Sequence, residues 1–224
     1  MKKERTDKPG PKIPETGHID AYAIIVDLNQ FTNMVARAEE GPNDIAQFTS
    51  DALSGSIMEI ESEGGEVVAY MGDAILAIIA DHDSVIRACF GIAKDTDRQC
   101  EYISDAQSHS KDIWPFAPGG PSVKISIEHG RLEISTITSR FLGEHRLLVG
   151  SSINYAARIS AAGKGNRCVV GPRAAKLAFS SFDLDGPHHI KGKSGEQSYE
   201  YYLFSMGDTW IEGRRRKGER ASWE

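Results

Sequence analysis

The stretch Gly64 to Ile79, GGEVVAYMGDAILAII, places two apolar arms, EVVAY and AILAII, around a short centre of Met71, Gly72 and Asp73. Arms of β-branched and aliphatic residues on either side of a brief glycine-containing centre predict a β-hairpin. Asp73 then stands at its tip. Upstream, AYAIIVDL (Ala21 to Leu28) is β-rich and nearly all apolar, the pattern of a strand buried on both faces, and it closes with Asp27. A sheet that sets the hairpin beside this strand brings the two carboxylates together. At about 5 Å and an effective dielectric of about 20 their repulsion is on the order of 3 kcal/mol, which a divalent cation compensates. Two carboxylates suit Mg²⁺ or Mn²⁺, with phosphate oxygens completing the shell. A plainer reading stands beside this one: Asp27 caps the following helix and Asp73 is a turn residue.

Outward from this pair the pattern is mixed. Apolar residues recur at helical spacing from Phe31 to Glu61, with a break at GPND, where Pro42 fits a first turn and Asn43 or Asp44 a cap. Asp83 to Ala93 reads as a helix capped at Asp83 or Ser84. Lys94 to Pro121 begins helical and ends in the loop WPFAPGGP. VKISIEHG and RLEISTI read as strands, and HRLLVG as another. Ser151 and Ser152 are placed to cap a helix that runs to about Ala162. RCVVG, a short helix from Pro172 to Leu177, FDLDG, HHIKG and QSYEYYLF complete the alternation.

One domain fits a chain of 224 residues that is 40% hydrophobic and 26% charged. Residues 1–17 carry three prolines and many charges with no apolar period, which makes them a flexible arm. The catalytic unit is expected over residues 18–206 and a basic tail, containing RRRKGER, over 207–224. The longest apolar run, Ala74 to Ala80, is far short of the ~20 residues of a membrane helix, and MKKERTDKPGPKIPETG lacks the apolar centre of a signal peptide. A cytoplasmic protein without a membrane partner is therefore expected. Net charge −6 argues against a nucleic-acid surface. Cys89, Cys100 and Cys168 are odd in number and widely spaced, unlike a disulfide framework or a zinc site.

Two further groups carry chemistry. In SSINYAARIS, Asn154 and Arg158 lie four residues apart on one helix face, with Ile153, Ala156, Ala157 and Ser160 as the packing stripe. A planar guanidinium beside a carboxamide suits phosphate and ribose recognition. In IKGKSGE, Lys191 and Lys193 flank a glycine. Taken alone, the first is an ordinary exposed helix face and the second a basic turn.

In this order, VDLNQFT, GGEVVAYMGDAILA, IEHG, VGSSINYAARI and IKGKSG resemble the catalytic domain of class III nucleotidyl cyclases, over roughly Ala21 to Phe204. The resemblance implies a ferredoxin-like α/β (α+β) fold, a mostly antiparallel sheet flanked by helices, and a head-to-tail homodimer with composite sites. It implies that Asp27 and Asp73, with Leu28 beside them, bind two divalent cations (Mn²⁺ or Mg²⁺). Asn154 would orient the ribose. Arg158 would stabilise charge on the α-phosphate, and Lys191 or Lys193 would hold the terminal phosphates of a nucleoside triphosphate. In that family the Asp pair comes from one protomer and the Asn/Arg pair from its partner. Gln30 departs from the family's usual glycine before Phe31.

The positions aligned with the family's base-reading pair are Ala69 and Leu147, and Tyr70, beside Ala69, could join the base pocket if the strand twists it there. Adenylate-making members carry lysine and aspartate at the first and last positions, and guanylate-making members glutamate and a small polar residue. Ala69 and Leu147 offer no side-chain hydrogen bond, so a purine loses both usual partners at ~1–3 kcal/mol each. Alternation turns Tyr70 away from Ala69, toward the core or a dimer interface. A short cyclase without that pair is most similar to the pyrimidine cyclases of bacterial antiphage Pycsar systems. The expected reaction is UTP to cyclic UMP and pyrophosphate, the product being read by a separate effector protein. Competing readings are a cytidylate cyclase, an adenylate cyclase with atypical base recognition, and a catalytically silent dimerisation module.

Overall fold

The computed structural model describes residues 13–29, 31, 45–109, 123–141, 143–163, 167–193 and 195–205. Expectations for residues 1–12, for Gln30, for GPND, for WPFAPGGP and for the tail 207–224 lie outside them. Eight strands form one sheet: β1 (Gly17–Leu28), β2 (Glu66–Tyr70), β3 (Ala74–Ile79), β4 (Val123–Ser139), β5 (Gly143–Val149), β6 (Arg167–Val170), β7 (Asp185–Ile190) and β8 (Tyr199–Ser205). Their order is β2-β3-β1-β4-β6-β8-β7, with β5 paired to β4 off this path. Only the β4–β6 pairing is parallel among these strands. Among the described residues the helices include α1 (Ile45–Ser62), α2 (His82–His109), α3 (Ser151–Ile159), followed by a 3₁₀ turn Ser160–Ala162, and α4 (Pro172–Leu177).

Alternation along β1 explains why nearly every residue of AYAIIVDL is apolar. Tyr22, Ile24, Val26 and Leu28 face the main core, where Ile75, Ile79, Ile125 and Ile127 meet Val85, Cys89 and Ile92 of α2. Ala23 and Ile25 face the other side, where Leu76 and Ala156 of α3 join them. Both faces are covered, so residues 21–26 are all buried. The hairpin read from the Met-Gly-Asp centre is present as β2 and β3.

Several local expectations are corrected. VKISIEHG and RLEISTI form one strand of 17 residues rather than two. Gly130 lies inside that strand, and Ser152 lies over it, a Cβ at Gly130 falling 3.1 Å from the Ser152 Cβ. The cap of α2 is Asp81, whose Oδ2 accepts the Ser84 N–H at 2.8 Å. The helix starts at His82, so Asp83 and Ser84 lie inside its first turn. The cap of α3 is Gly150, not Ser151 or Ser152, and it makes no side-chain cap bond. A Cβ there would stand 2.5 Å from Leu132 Cδ2 and 2.9 Å from the Arg131 carbonyl, so only glycine lets the helix start against β4. Cys89 and Cys168 are buried free thiols, and burial pushes the Cys168 thiol well up.

Glu128 is a buried carboxylate within β4, 3% exposed. Its Oε1 accepts the N–H groups of His129 at 2.6 Å and of Ala174, in α4, at 3.1 Å. Burial outweighs these bonds and raises its pKa above the usual glutamate range. The folded state thus holds this proton more tightly than the unfolded one. The stability it brings is present below the unfolded pKa and lost as pH rises through the folded value. Glu128→Gln keeps an acceptor and is expected to flatten that decline in melting temperature. Glu128→Ala strands two N–H groups at about 1–3 kcal/mol each, measurable by denaturant titration.

Candidate functional site

Asp27, one residue from the end of β1, lies opposite Ala74 of β3 on one side and Lys124 of β4 on the other. That register carries the Lys124 Nζ to 2.9 Å from the Asp27 Oδ1, with both side chains mostly covered. Asp73 occupies the hairpin turn between β2 and β3. The Leu28 N–H donates to the Asp73 carbonyl at 3.1 Å and the Met71 N–H to the Ala74 carbonyl at 2.8 Å, which pins the tip to the end of β1. Burial foremost, then the Asp27 charge, raises the Asp73 carboxyl above the usual aspartate range, against a backbone hydrogen bond and the Lys124 ammonium.

The donor chemistry fits a hard divalent cation. Two carboxylates share one ammonium, which leaves an excess negative charge in a half-covered site. Among the described residues no group of three or more His, Cys, Asp or Glu side chains could hold a metal. A full shell there needs main-chain, water or phosphate oxygens in addition. The Leu28 side chain is buried in the core, so its only possible donor is the main-chain carbonyl.

Asn154 is exposed in the first half of α3, and Arg158 lies one turn further on. The buried stripe of α3 is Ser152, Ala156 and Ile159, with Ile153 packing beside it. Ala157, expected in that stripe, is exposed. The Tyr155 hydroxyl accepts the Glu200 N–H and donates to the Glu200 carbonyl, both at 3.0 Å, fastening α3 to β8. Arg158 Nη2 reaches Glu196 Oε1 at 2.5 Å. The Glu196 Oε2 accepts the Lys193 N–H at 3.1 Å and the Tyr199 hydroxyl at 3.4 Å. Arg158 and the loop of Lys191 and Lys193 therefore form one basic cluster joined through Glu196. The side chains of both lysines are on exposed residues.

Val68 is an extra residue in β2: Val67 pairs with Ala77 and Ala69 with Leu76, so the bulge leaves Val68 and Ala69 on the same face. Ala69 packs beside Ile25 and Leu76 under Ile153, on the face of β1 that carries Asp27. Tyr70 is 69% exposed. It does not pack into the core of this chain. Leu147 is 42% exposed, while its neighbour Leu148 packs with Ala21, Ile78 and Leu132.

Lys124 and Glu196 escaped the sequence reading. Lys124 is visible only once the register of β1 against β4 is known. Glu196 stood in the quoted IKGKSGE, and a carboxylate three residues after a lysine in a glycine-rich loop was the available signal.

No protein-family model matches the chain. Over 183 residues, 76% of its length, it is 27% identical to an adenylate cyclase of Anabaena cylindrica. It spans about a third of that relative, 34%. Among solved structures it is similar to the adenylyl cyclase CyaB of P. aeruginosa, with TM-score 0.68, 12% identity, 87% of this chain and 98% of that one. It is also similar to the catalytic core of a rhodopsin-guanylyl cyclase with converted specificity, in complex with ATPαS. That match has TM-score 0.64, 14% identity, 86% of this chain and 100% of that one. The chain carries the fold of these adenylyl and guanylyl cyclase catalytic domains.

Proposed function

We propose that this chain is a nucleotidyl cyclase that converts a nucleoside triphosphate, UTP in preference, to the 3′,5′-cyclic monophosphate and pyrophosphate. The observation that carries the reading is the Asp27–Asp73 pair, built by pinning the tip of one hairpin to the end of a buried strand on the cyclase fold. Asp27 and Asp73 would hold divalent cations. Such ions, when bound, lower the pKa of the ribose 3′-hydroxyl and neutralise phosphate charge. The hydroxyl oxygen forms a bond to the α-phosphorus as its proton passes to solvent water, and the bond to the pyrophosphate oxygen breaks, its electron pair leaving with pyrophosphate. Arg158 donates to the α-phosphate oxygens as charge builds, Asn154 orients the ribose, and Lys191 or Lys193 binds the terminal phosphates.

The working form is a homodimer in which the Asp pair of one protomer faces Asn154 and Arg158 of its partner. Exposed Tyr70, Met71, Leu147 and Val149 supply apolar surface for that contact. The preference for UTP, with CTP next, rests on Ala69 and Leu147, whose side chains give a purine no hydrogen bond. The product is read as a second messenger by a separate effector in antiviral defence, a role supported by the resemblance to pyrimidine cyclases. A second reading, adenylate cyclase, is favoured by the Anabaena relative's description.

The test is chromatography and mass spectrometry of products from ATP, GTP, CTP and UTP, each with Mg²⁺ and with Mn²⁺. Cyclic UMP is the expected major product. Cyclic AMP would overturn the pyrimidine assignment, and no product from any triphosphate would leave a silent dimerisation module.

A further inference from the structure

Three donors from two separate parts of the chain converge on one carboxylate. The Arg158 guanidinium comes from α3, while the Lys193 N–H and the Tyr199 hydroxyl come from the loop after β7 and the start of β8. The loop is folded onto that carboxylate. The Glu196 N–H donates to the Lys193 carbonyl at 2.8 Å, and a Cβ at Gly192 would lie 2.7 Å from the Glu196 Cβ. A guanidinium N–H, a main-chain N–H and a hydroxyl together are the donor set of an oxyanion site, equally suited to carboxylate or phosphate oxygens.

Building on the cyclase reading, we propose that Glu196 is an internal stand-in for a substrate phosphate, occupying this anion site until a triphosphate displaces it and gains Arg158. The Arg158 and Glu196 side chains are 33% and 29% exposed, so water screens the pair. A screened pair of this kind competes only weakly, by about two- to fivefold in affinity. That strength suits an exchangeable contact. It also keeps the guanidinium oriented on α3 while the site is empty, and it opposes smaller anions that cannot match a polyphosphate's charge. Glu196 is on this view a positioning residue, acting through Arg158.

The test is calorimetric titration of the full chain with inorganic pyrophosphate, without metal or nucleotide. Glu196→Gln keeps an acceptor for Lys193 and Tyr199 but removes the charge, and should bind pyrophosphate about two- to fivefold more tightly. The gain should vanish when Arg158→Ala is added. Unchanged or weaker binding, or a gain that survives Arg158→Ala, overturns the proposal. A measurement on the unmodified sequence covers the case in which Glu196→Gln does not fold. With ¹³C-labelled glutamate, the Glu196 Cδ resonance should move with the same midpoint as pyrophosphate binding; a stationary resonance overturns the proposal. Product analysis separates the two claims. Cyclic nucleotide formation with no pyrophosphate effect sinks the stand-in alone, whereas the effect without any cyclic product retains the anion site and sinks the cyclase.

Discussion

Asp73→Ala is expected to lower cyclic nucleotide formation by about 10³-fold or more, because metal-assisted charge neutralisation supplies several kcal/mol of the barrier reduction. The chain should remain folded. Asp73 lies in a turn held by main-chain bonds from Leu28 to its carbonyl and from Met71 to Ala74, and its carboxylate adds only a bond to its own N–H. Its carboxyl is moreover held above its ordinary pKa by burial and by Asp27, so its charge is unwelcome in the fold. Removing it relieves that repulsion, and the melting temperature at neutral pH should hold or rise. Asp27→Ala should cost activity equally but stability differently, since it strips Lys124 of its cross-strand partner. Activity retained in either variant would remove the metal assignment. A binding readout independent of turnover, Mn²⁺ titration followed by electron paramagnetic resonance, should show lost affinity in both.

Arg158→Ala should lower kcat by about 10²–10³-fold, the usual cost of deleting a preorganised donor that meets developing charge. KM should move far less, because the ground-state contact, exchanged against Glu196, is worth only about two- to fivefold and the rest develops as the transition state forms. Equal losses in both would make Arg158 a ground-state binder. A mixture of inactive Asp73→Ala and inactive Arg158→Ala protomers then tests composite sites. Random pairing makes about half the dimers heterodimers, each with one intact site of two, so recovery to about a quarter of the unmutated rate is expected. No recovery on mixing would mean that each protomer works with its own Arg158.

Local sequence patterns made the framework legible. The apolar arms around Met71 to Asp73 specify the hairpin, and the double-sided burial of β1 follows from its unbroken apolar run. Asp27 and Asp73 could be read because each sits at the end of such a run. What stayed hidden depends on contacts between distant segments. Lys124 comes beside Asp27 through strand register, and Glu196 meets Arg158 across 38 positions of sequence. The caps failed for a related reason. Ser151 and Ser152 have the right chemistry for a helix start, but the close approach of β4 requires glycine one position earlier, and Ser152 is carried into the buried face. At β2 the extra Val68 breaks the period of two, and nothing in EVVAY announces it.

The contact of Gly150 against Leu132 and Arg131 sets an angular phase as well as a starting point. Each helical residue turns the chain by about 100°, so α3 is a dial whose zero is held by the sheet, with Asn154 and Arg158 at fixed bearings from it. One residue inserted between Val149 and Gly150 can be absorbed in the strand end and leaves the dial unturned. The same insertion after Gly150 would rotate Arg158 away from Glu196 and drive a packed side chain into its place. Length variation in relatives of this chain should therefore collect before the glycine and avoid the first turn behind it.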